Sequence, residues 1–116
     1  MGVNNFVERL YLNALNRPCD IVGRDSWSDA IINQGATGSE VVRGFINSPE
    51  FIGSDVSNEE FVRRLYKVFF NRIPSNSEVA NWVNALTSGV SRNEVVNAFI
   101  ASPEWAAVCA FYRINV

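Results

Sequence analysis

The side chains best suited to chemistry in this sequence come in pairs. Arg17 and Arg72 each follow an asparagine, Trp27 and Trp82 come ten residues later, and Tyr11 and Tyr66 lie six residues before. A guanidinium close to an indole and a phenol can bind a carboxylate or a sugar acid, because planar donors fork onto the anion while the rings stack on the sugar face. Arg17, Trp27, Arg72 and Trp82 are therefore the candidate ligand-binding residues. A structural reading competes with this one and is the preferred of the two. Aromatic residues at helical spacing usually form a core. Each arginine would then tie its own loop together, through backbone carbonyls or through Glu40 and Glu94, which are also a repeated pair.

Catalysis has little to draw on. The chain has no histidine, which removes Ser–His and Cys–His dyads, His-ligated zinc and the commonest general base near neutral pH. Cys19 lies beside Arg17, whose charge would lower a thiol pKa. Its counterpart is Pro74, however, so the thiol is no part of the shared design. Cys19 and Cys109 have neither metal-ligand spacing nor a dense disulfide pattern, and two free, partly buried thiols are expected. Asp20, Gly23 and Asp25 faintly resemble a calcium loop, yet the stretch supplies too few oxygen ligands, and Ser75 stands where Asp20 would recur. The sequence thus predicts no catalytic residue, no metal site and no cofactor, and reads as a protein that is not an enzyme.

Composition sets the wider bounds. The 116 residues are 47% apolar and 19% charged, with a net charge of −2, which suits one compact domain over residues 1–116 and leaves no room for two independent ones. A slightly acidic chain is not an electrostatic nucleic-acid binder. The cluster from Arg63 to Lys67 reads first as a solvated helix face and second as a phosphate-binding patch. No window approaches the roughly 18 consecutive apolar residues of a membrane span, and no secretion signal is visible. The opening Met1-Gly2 also suits an excised module, so the missing signal carries no information about location.

The pairs belong to a larger repeat. Asn5–Trp27 aligns with Glu60–Trp82, and after one residue drops out Glu40–Phe51 aligns with Glu94–Trp105, giving 16 identities over 35 aligned positions. The chain is a tandem duplication of a unit of about 54 residues, with internal repeats over 4–53 and 58–112.

Each unit must position its pair with helices. Apolar residues fall on a helical stripe, Phe6, Leu10 and Leu15 in one copy and Phe61, Leu65 and Phe69 in the other. Ser57-x-x-Glu60 predicts a capping box for the second copy, while the first offers only Asn4 or Asn5. A proline-bearing loop follows, then a second helix that stops at Gly35 or Gly89, with Ser75-x-x-Glu78 capping its second copy. Thr37-x-x-Glu40 and Ser91-x-x-Glu94 announce a third helix that buries Val41, Phe45 and Ile46, or Val95, Phe99 and Ile100. The repeated phrases FINSPEF and FIASPEW then predict a corner. Ser48 or Ser102 caps a new helix, Pro49 or Pro103 occupies its first turn, Glu50 or Glu104 complements the dipole, and Phe51 or Trp105 anchors on the core. Residues 53–55 cut the first of these helices to a single turn, whereas the second runs on.

The assembled signature is Phe-Val-x-x-Leu-Tyr, Asn-Arg-(x)-Pro, a later Trp, Glu-Val-Val-x-x-Phe-Ile and Ser-Pro-Glu-aromatic. It resembles the bacterial domain-of-unknown-function family DUF4214, twice over and across nearly the whole chain. Arg17, Asp20, Gly23 and Trp27 stand where the family pattern places them; the second copy departs, with Ser75 and Glu78 for the Asp and the Gly. A more distant similarity is to the linker domain of cyanobacterial phycobilisomes. The resemblance implies an all-α module of bacterial surface or secreted proteins, or one attached to glycan-modifying enzymes, with no established catalytic activity. Its expected partners are another protein or neighbouring copies of the module, with carbohydrate as the alternative ligand.

Overall fold

The computed structural model describes residues 2–53 and 56–116. Ser54 and Asp55, part of the expected helix stop, lie outside the described residues. Eight helices occur among the described residues, in two series of four: α1 (Val3–Leu15), α2 (Ile21–Asn33), α3 (Gly38–Ile46) and α4 (Pro49–Gly53), then α5 (Asn58–Phe70), α6 (Asn76–Thr87), α7 (Arg92–Ile100) and α8 (Pro103–Tyr112). No strand occurs among the described residues. The all-α duplication read from the sequence is the architecture found.

Local chemistry sets the helix ends. Thr37 with Glu40, Ser75 with Glu78 and Ser91 with Glu94 form reciprocal capping boxes at α3, α6 and α7. Past α2 and α6 the chain turns at Gly35 and Gly89, both at positive φ, where only glycine lacks a steric penalty. α1 and α5 end alike: Asn16 and Asn71 both take the left-handed conformation at φ 54°, ψ 39°, which asparagine tolerates better than most residues. That bend aims the arginine after it back over its own helix.

Two expected caps differ. Ser57 accepts the Glu60 N–H at 3.1 Å, but the Glu60 carboxylate bonds Arg64 at 3.0 Å, so only half a box forms: a guanidinium one turn on outcompetes the backbone amide. At α1 neither Asn4 nor Asn5 caps. The helix starts at Val3, Gly2 holds the cap position without a side-chain bond, and Asn4 Oδ1 instead accepts from Ser28 Oγ at 2.6 Å. The stripe of α1 also shifts. Phe6, Leu10 and Ala14 are fully buried and Leu15 only partly, because steps of four stay on one helix face whereas the ninth residue points to the opposite side. On α7, Ile100 is likewise only half-buried.

The corner forms as expected in both copies. Ser48 Oγ donates to the Phe45 carbonyl at 2.7 Å and accepts the Phe51 N–H at 3.2 Å. Ser102 does the same between Phe99 and Trp105, at 2.7 and 3.2 Å. One hydroxyl thus closes one helix and opens the next.

The two units share a single core and exchange contacts reciprocally. α1 lies against α5, with Asn13 Nδ2 donating to the Lys67 carbonyl at 2.9 Å and Arg9 to the Val68 carbonyl at 2.8 Å. Phe51 of the first unit meets Phe61 of the second, with ring centroids 6.4 Å apart. Trp105 of the second meets Phe6, the counterpart of Phe61, at 6.2 Å. Arg43 on α3 bonds Asn93 and Asn97 on α7, and Asn97 is the counterpart of Arg43. Such exchanges are those of a two-fold axis.

The symmetry fails at α8, which continues for ten residues where α4 has five. Trp105 is fully buried and donates its indole N–H to Ser39 Oγ at 2.9 Å. Beyond α8 the chain covers the start of α3: the Gly38 N–H bonds the Asn115 carbonyl at 2.7 Å. Ile114 packs so closely that a Cβ on Gly38 would lie 3.0 Å from its Cδ1.

Candidate functional site

The four candidate residues form two separate clusters, one per unit. In the first, the Arg17 guanidinium forks onto Glu50, with Nε to Oε2 at 2.7 Å and Nη2 to Oε1 at 3.0 Å. It lies 5.0 Å from the Tyr11 ring centroid. Tyr11 meets Phe45 edge-on at 4.9 Å, and Trp27 covers the same Phe45 at 5.2 Å. In the second, Arg72 lies 4.9 Å from the Tyr66 centroid and forks onto Glu104 at 2.8 and 3.2 Å. Tyr66 meets Phe99 edge-on at 5.0 Å, and Trp82 covers Phe99 at 5.3 Å. Trp82 Nε1 also donates to the Tyr66 hydroxyl at 3.1 Å.

The arginines tie loop to corner: Arg17 also donates to a carbonyl of its own loop, Pro18 O at 3.2 Å, as the structural reading expects, but the acids are not the expected ones. Glu40 and Glu94 are spent on their own capping boxes. The partners are Glu50 and Glu104, the acids of the Ser-Pro-Glu corner, which the sequence argument assigned to the helix dipole alone. Their signal was present, since they recur in register with the arginines. Spacing did not reveal that the corner folds back across 33 residues in one unit and 32 in the other.

The second cluster carries one more acid. Arg72 also forks onto Glu78, 3.0 Å from each oxygen, and the Ser75 backbone N–H bonds the same carboxylate at 2.9 Å. The Arg72 hydrogen bonds, seconded by that backbone N–H, hold the Glu78 carboxyl down at about 2. Bonds to Glu104 and Glu78 raise Arg72 in turn. In the first unit the counterpart of Glu78 is Gly23, and the acid sits instead at the cap: Asp20 accepts the Gly23 N–H at 2.6 Å. A Cβ at Gly23 would collide with both Asp20 Oδ1 and the Tyr11 hydroxyl. Each unit thus keeps a second carboxylate near its arginine but takes it from a different helix position.

Shape differs too. On α3, a Cβ at Gly44 would come within 2.5 Å of Trp27 Cη2, so the first indole lies flush on the helix backbone. Ala98, the counterpart of Gly44, helps line a shallow depression of about 180 Å³ with Trp82, Phe70 and Arg72.

The remaining candidates have plain roles. Asp20 caps α2 and Asp25 pairs with Arg24 at 3.1 Å. Among the described residues no three His, Cys, Asp or Glu side chains gather closely enough to hold a metal ion. Both cysteines are free; Cys19 packs partly against the core, and burial pushes the Cys109 thiol up to about 11. Arg63 and Arg64 of the basic cluster pair with Glu59 and Glu60 one turn back. Among the described residues no single helix is long and apolar enough to cross a membrane.

A second feature was not foreseen. Between the units, α3, α4, α5 and α7 enclose a groove of about 260 Å³, walled by Ile46, Phe51, Phe61 and Val96 with Arg43 and Arg92 beside them. Sequence reasoning missed it because these residues come from four separate segments.

Comparison with curated proteins and with solved structures finds no match. The family model for a domain of unknown function, DUF4214, matches residues 2–54 and again 52–109. Together those matches span both clusters and both corners, and the chain belongs to the DUF4214 family as two tandem copies.

Proposed function

We propose that this chain is a non-catalytic structural and protein-interaction module of a larger bacterial surface or secreted protein, working through a protein partner or neighbouring copies of itself. One observation carries the reading: the side chains that the two units share are directed at one another. Arg17 with Glu50 and Arg72 with Glu104 are internal clasps, and both paired tryptophans lie on the phenylalanines beneath them. A signature spent on holding helices together preserves a scaffold and leaves the outer faces free to vary. The surface and secreted setting rests on the family resemblance.

A second reading is favoured by the depression beside Trp82. Aromatic faces next to Arg72, Glu78 and Glu104 suit a sugar ring, which needs apolar stacking and planar hydrogen-bonding groups together.

Two measurements separate them. A direct fusion of two chains, followed by sedimentation velocity, travels as one compact particle under the first reading; two freely tethered bodies contradict it. Titration with a broad glycan panel, followed by Trp fluorescence, leaves the emission unchanged under the first reading. Saturable quenching that vanishes in Trp82→Ala, with helicity intact by circular dichroism, establishes the second. Turnover of any substrate, abolished by one carboxylate substitution, would remove both.

A further inference from the structure

The reciprocal packing gives the inter-unit groove a counterpart whose contents are visible. On the opposite side of the axis, Gly38 and Val42 of α3 stand where Arg92 and Val96 of α7 line the groove, and Trp105 stands where Phe51 does. That side is full. Trp105 reaches across to Ser39, Ile114 seals against Gly38, and the Gly38 N–H is satisfied by the Asn115 carbonyl. All of this cover is supplied by α8 and the residues after it. Among the described residues the groove side has no such cover, and the four residues that separate α4 from α5 are too few for an equivalent helix and return.

Charge distinguishes the two sides as well. Arg92 replaces Gly38, and Arg43 replaces Asn97. Arg92 donates to the Val56 carbonyl at 2.8 Å and Asn58 Oδ1 at 3.0 Å, with its guanidinium 4.6 Å from the Phe61 centroid. Among the described residues Arg43 bonds the side-chain amides of Asn93 and Asn97. Among the described residues neither pairs with a carboxylate, whereas Arg17, Arg24, Arg63, Arg64 and Arg72 all do. Two cations with no carboxylate partner among the described residues therefore flank an apolar floor. On the filled side a neutral backbone donor meets a neutral carbonyl acceptor; here the donors are guanidiniums, and the matching acceptor is a carboxylate.

We propose that the groove lined by Arg43, Phe51, Phe61, Arg92 and Val96 binds a segment of a partner protein that carries an aliphatic or aromatic anchor next to an Asp or Glu. The anchor takes the place that Ile114 fills on the other side, and the acid takes that of the Asn115 carbonyl. A volume of about 260 Å³ is below the range of pockets for drug-sized ligands and suits one or two side chains, which favours a polypeptide. This rests on the reading of the chain as an interaction module and names the face and the chemistry through which it works.

The test is a titration of the 15N-labelled chain with acetyl-Ala-Ala-Ile-Asp-Ala-amide to about 5 mM, followed by amide chemical shifts. Shifts should centre on Ile46, Phe51, Phe61 and Val96. The Asn-for-Asp peptide should bind about ten-fold more weakly, and so should the Ala-for-Ile peptide. Arg92→Gln should reduce affinity about five-fold while the spectrum otherwise keeps its dispersion. Arg63→Gln, a cation away from the groove, should leave affinity unchanged, which separates a site from general charge attraction. No shifts at the groove, equal binding of the Asn peptide, or shifts scattered over the surface would overturn the proposal. If the peptide fails while the fused chains still sediment as one compact particle, the groove assignment falls and the module reading stands. Glycan quenching at Trp82 would remove the module reading whatever the peptide does.

Discussion

The two arginine clasps began as the same side chains and now differ in how much they hold. In the first unit one guanidinium meets one carboxylate over one ring, and Asp20 near it is occupied with capping. In the second, one guanidinium meets two carboxylates, and Glu78 serves the capping box and the clasp together. The fourth helices diverge the same way: Phe51 closes a single turn, and Trp105 opens a ten-residue helix that covers the other unit. Duplication kept the backbone plan and redistributed the contacts, so that the second unit carries more of the cohesion and the first keeps an open face. Where a contact serves both plan and cohesion it is repeated; where it serves cohesion alone it has drifted.

The largest test of that difference is the corner anchor. Trp105→Ala removes a fully buried indole and its bond to Ser39 and should cost about 4 kcal/mol in urea unfolding. Phe51→Ala, on the side that already borders a groove, should cost about 3 kcal/mol. Equal losses would break the comparison. Next are the clasps. Both guanidiniums are more than a third exposed, 38% for Arg72 and 40% for Arg17, so solvent screening keeps the effects small. Arg72→Ala should cost about 1.5 kcal/mol and Arg17→Ala clearly less, because the second clasp has two bidentate pairs and the first has one.

The corner hydroxyls should show no difference between units. Ser48→Ala and Ser102→Ala each remove a cap of the same geometry and should each cost about 1 kcal/mol, without effect on peptide or glycan binding in folded protein. Unequal values would mean that the corners have diverged more than their backbones. Smallest is a pH effect confined to the second unit. The folded Glu78 pKa is about 2 against an ordinary 4.5. Its contribution is therefore complete above about pH 4.5 and is lost as pH falls toward 2. Chemical denaturation across that window should show a decline that is shallower in Glu78→Gln; an identical slope would place the acid sensitivity elsewhere.

Much of this could be read from the chain alone, and the reason is local. Capping boxes, prolines at first turns and glycines past helix ends act within four residues, so Thr37, Ser75, Ser91, Pro49 and Gly35 declared the helices without tertiary information. The repeat then supplied the topology. Reading failed where a local rule met a competitor that only the local structure reveals, as when Arg64 drew Glu60 away from its cap. It failed as well where a partner lay a long loop away. Arg17 and Arg72 were recognised as ties, but the acids that bind them belong to a corner over 30 residues on. The groove was illegible for a related reason. Arg43 and Arg92 differ from their counterparts Asn97 and Gly38, so a comparison built on identities passed over the positions where the units had parted.

The contact of Arg43 with Asn97 has a consequence for what the fused chain can do that separate units cannot. The two are counterparts, so they meet where the approximate axis crosses α3 and α7. A self-paired first unit with this geometry would set Arg43 against Arg43, two like charges facing each other. A self-paired second unit would set Asn97 against Asn97 and present no cation there. Only the mixed pair gives one cation held by neutral acceptors, still able to attract an acid from outside. Joining the copies in one chain thus fixes a ratio of one to one that free units could not enforce, and breaks the symmetry at a point where symmetry would set like charges together.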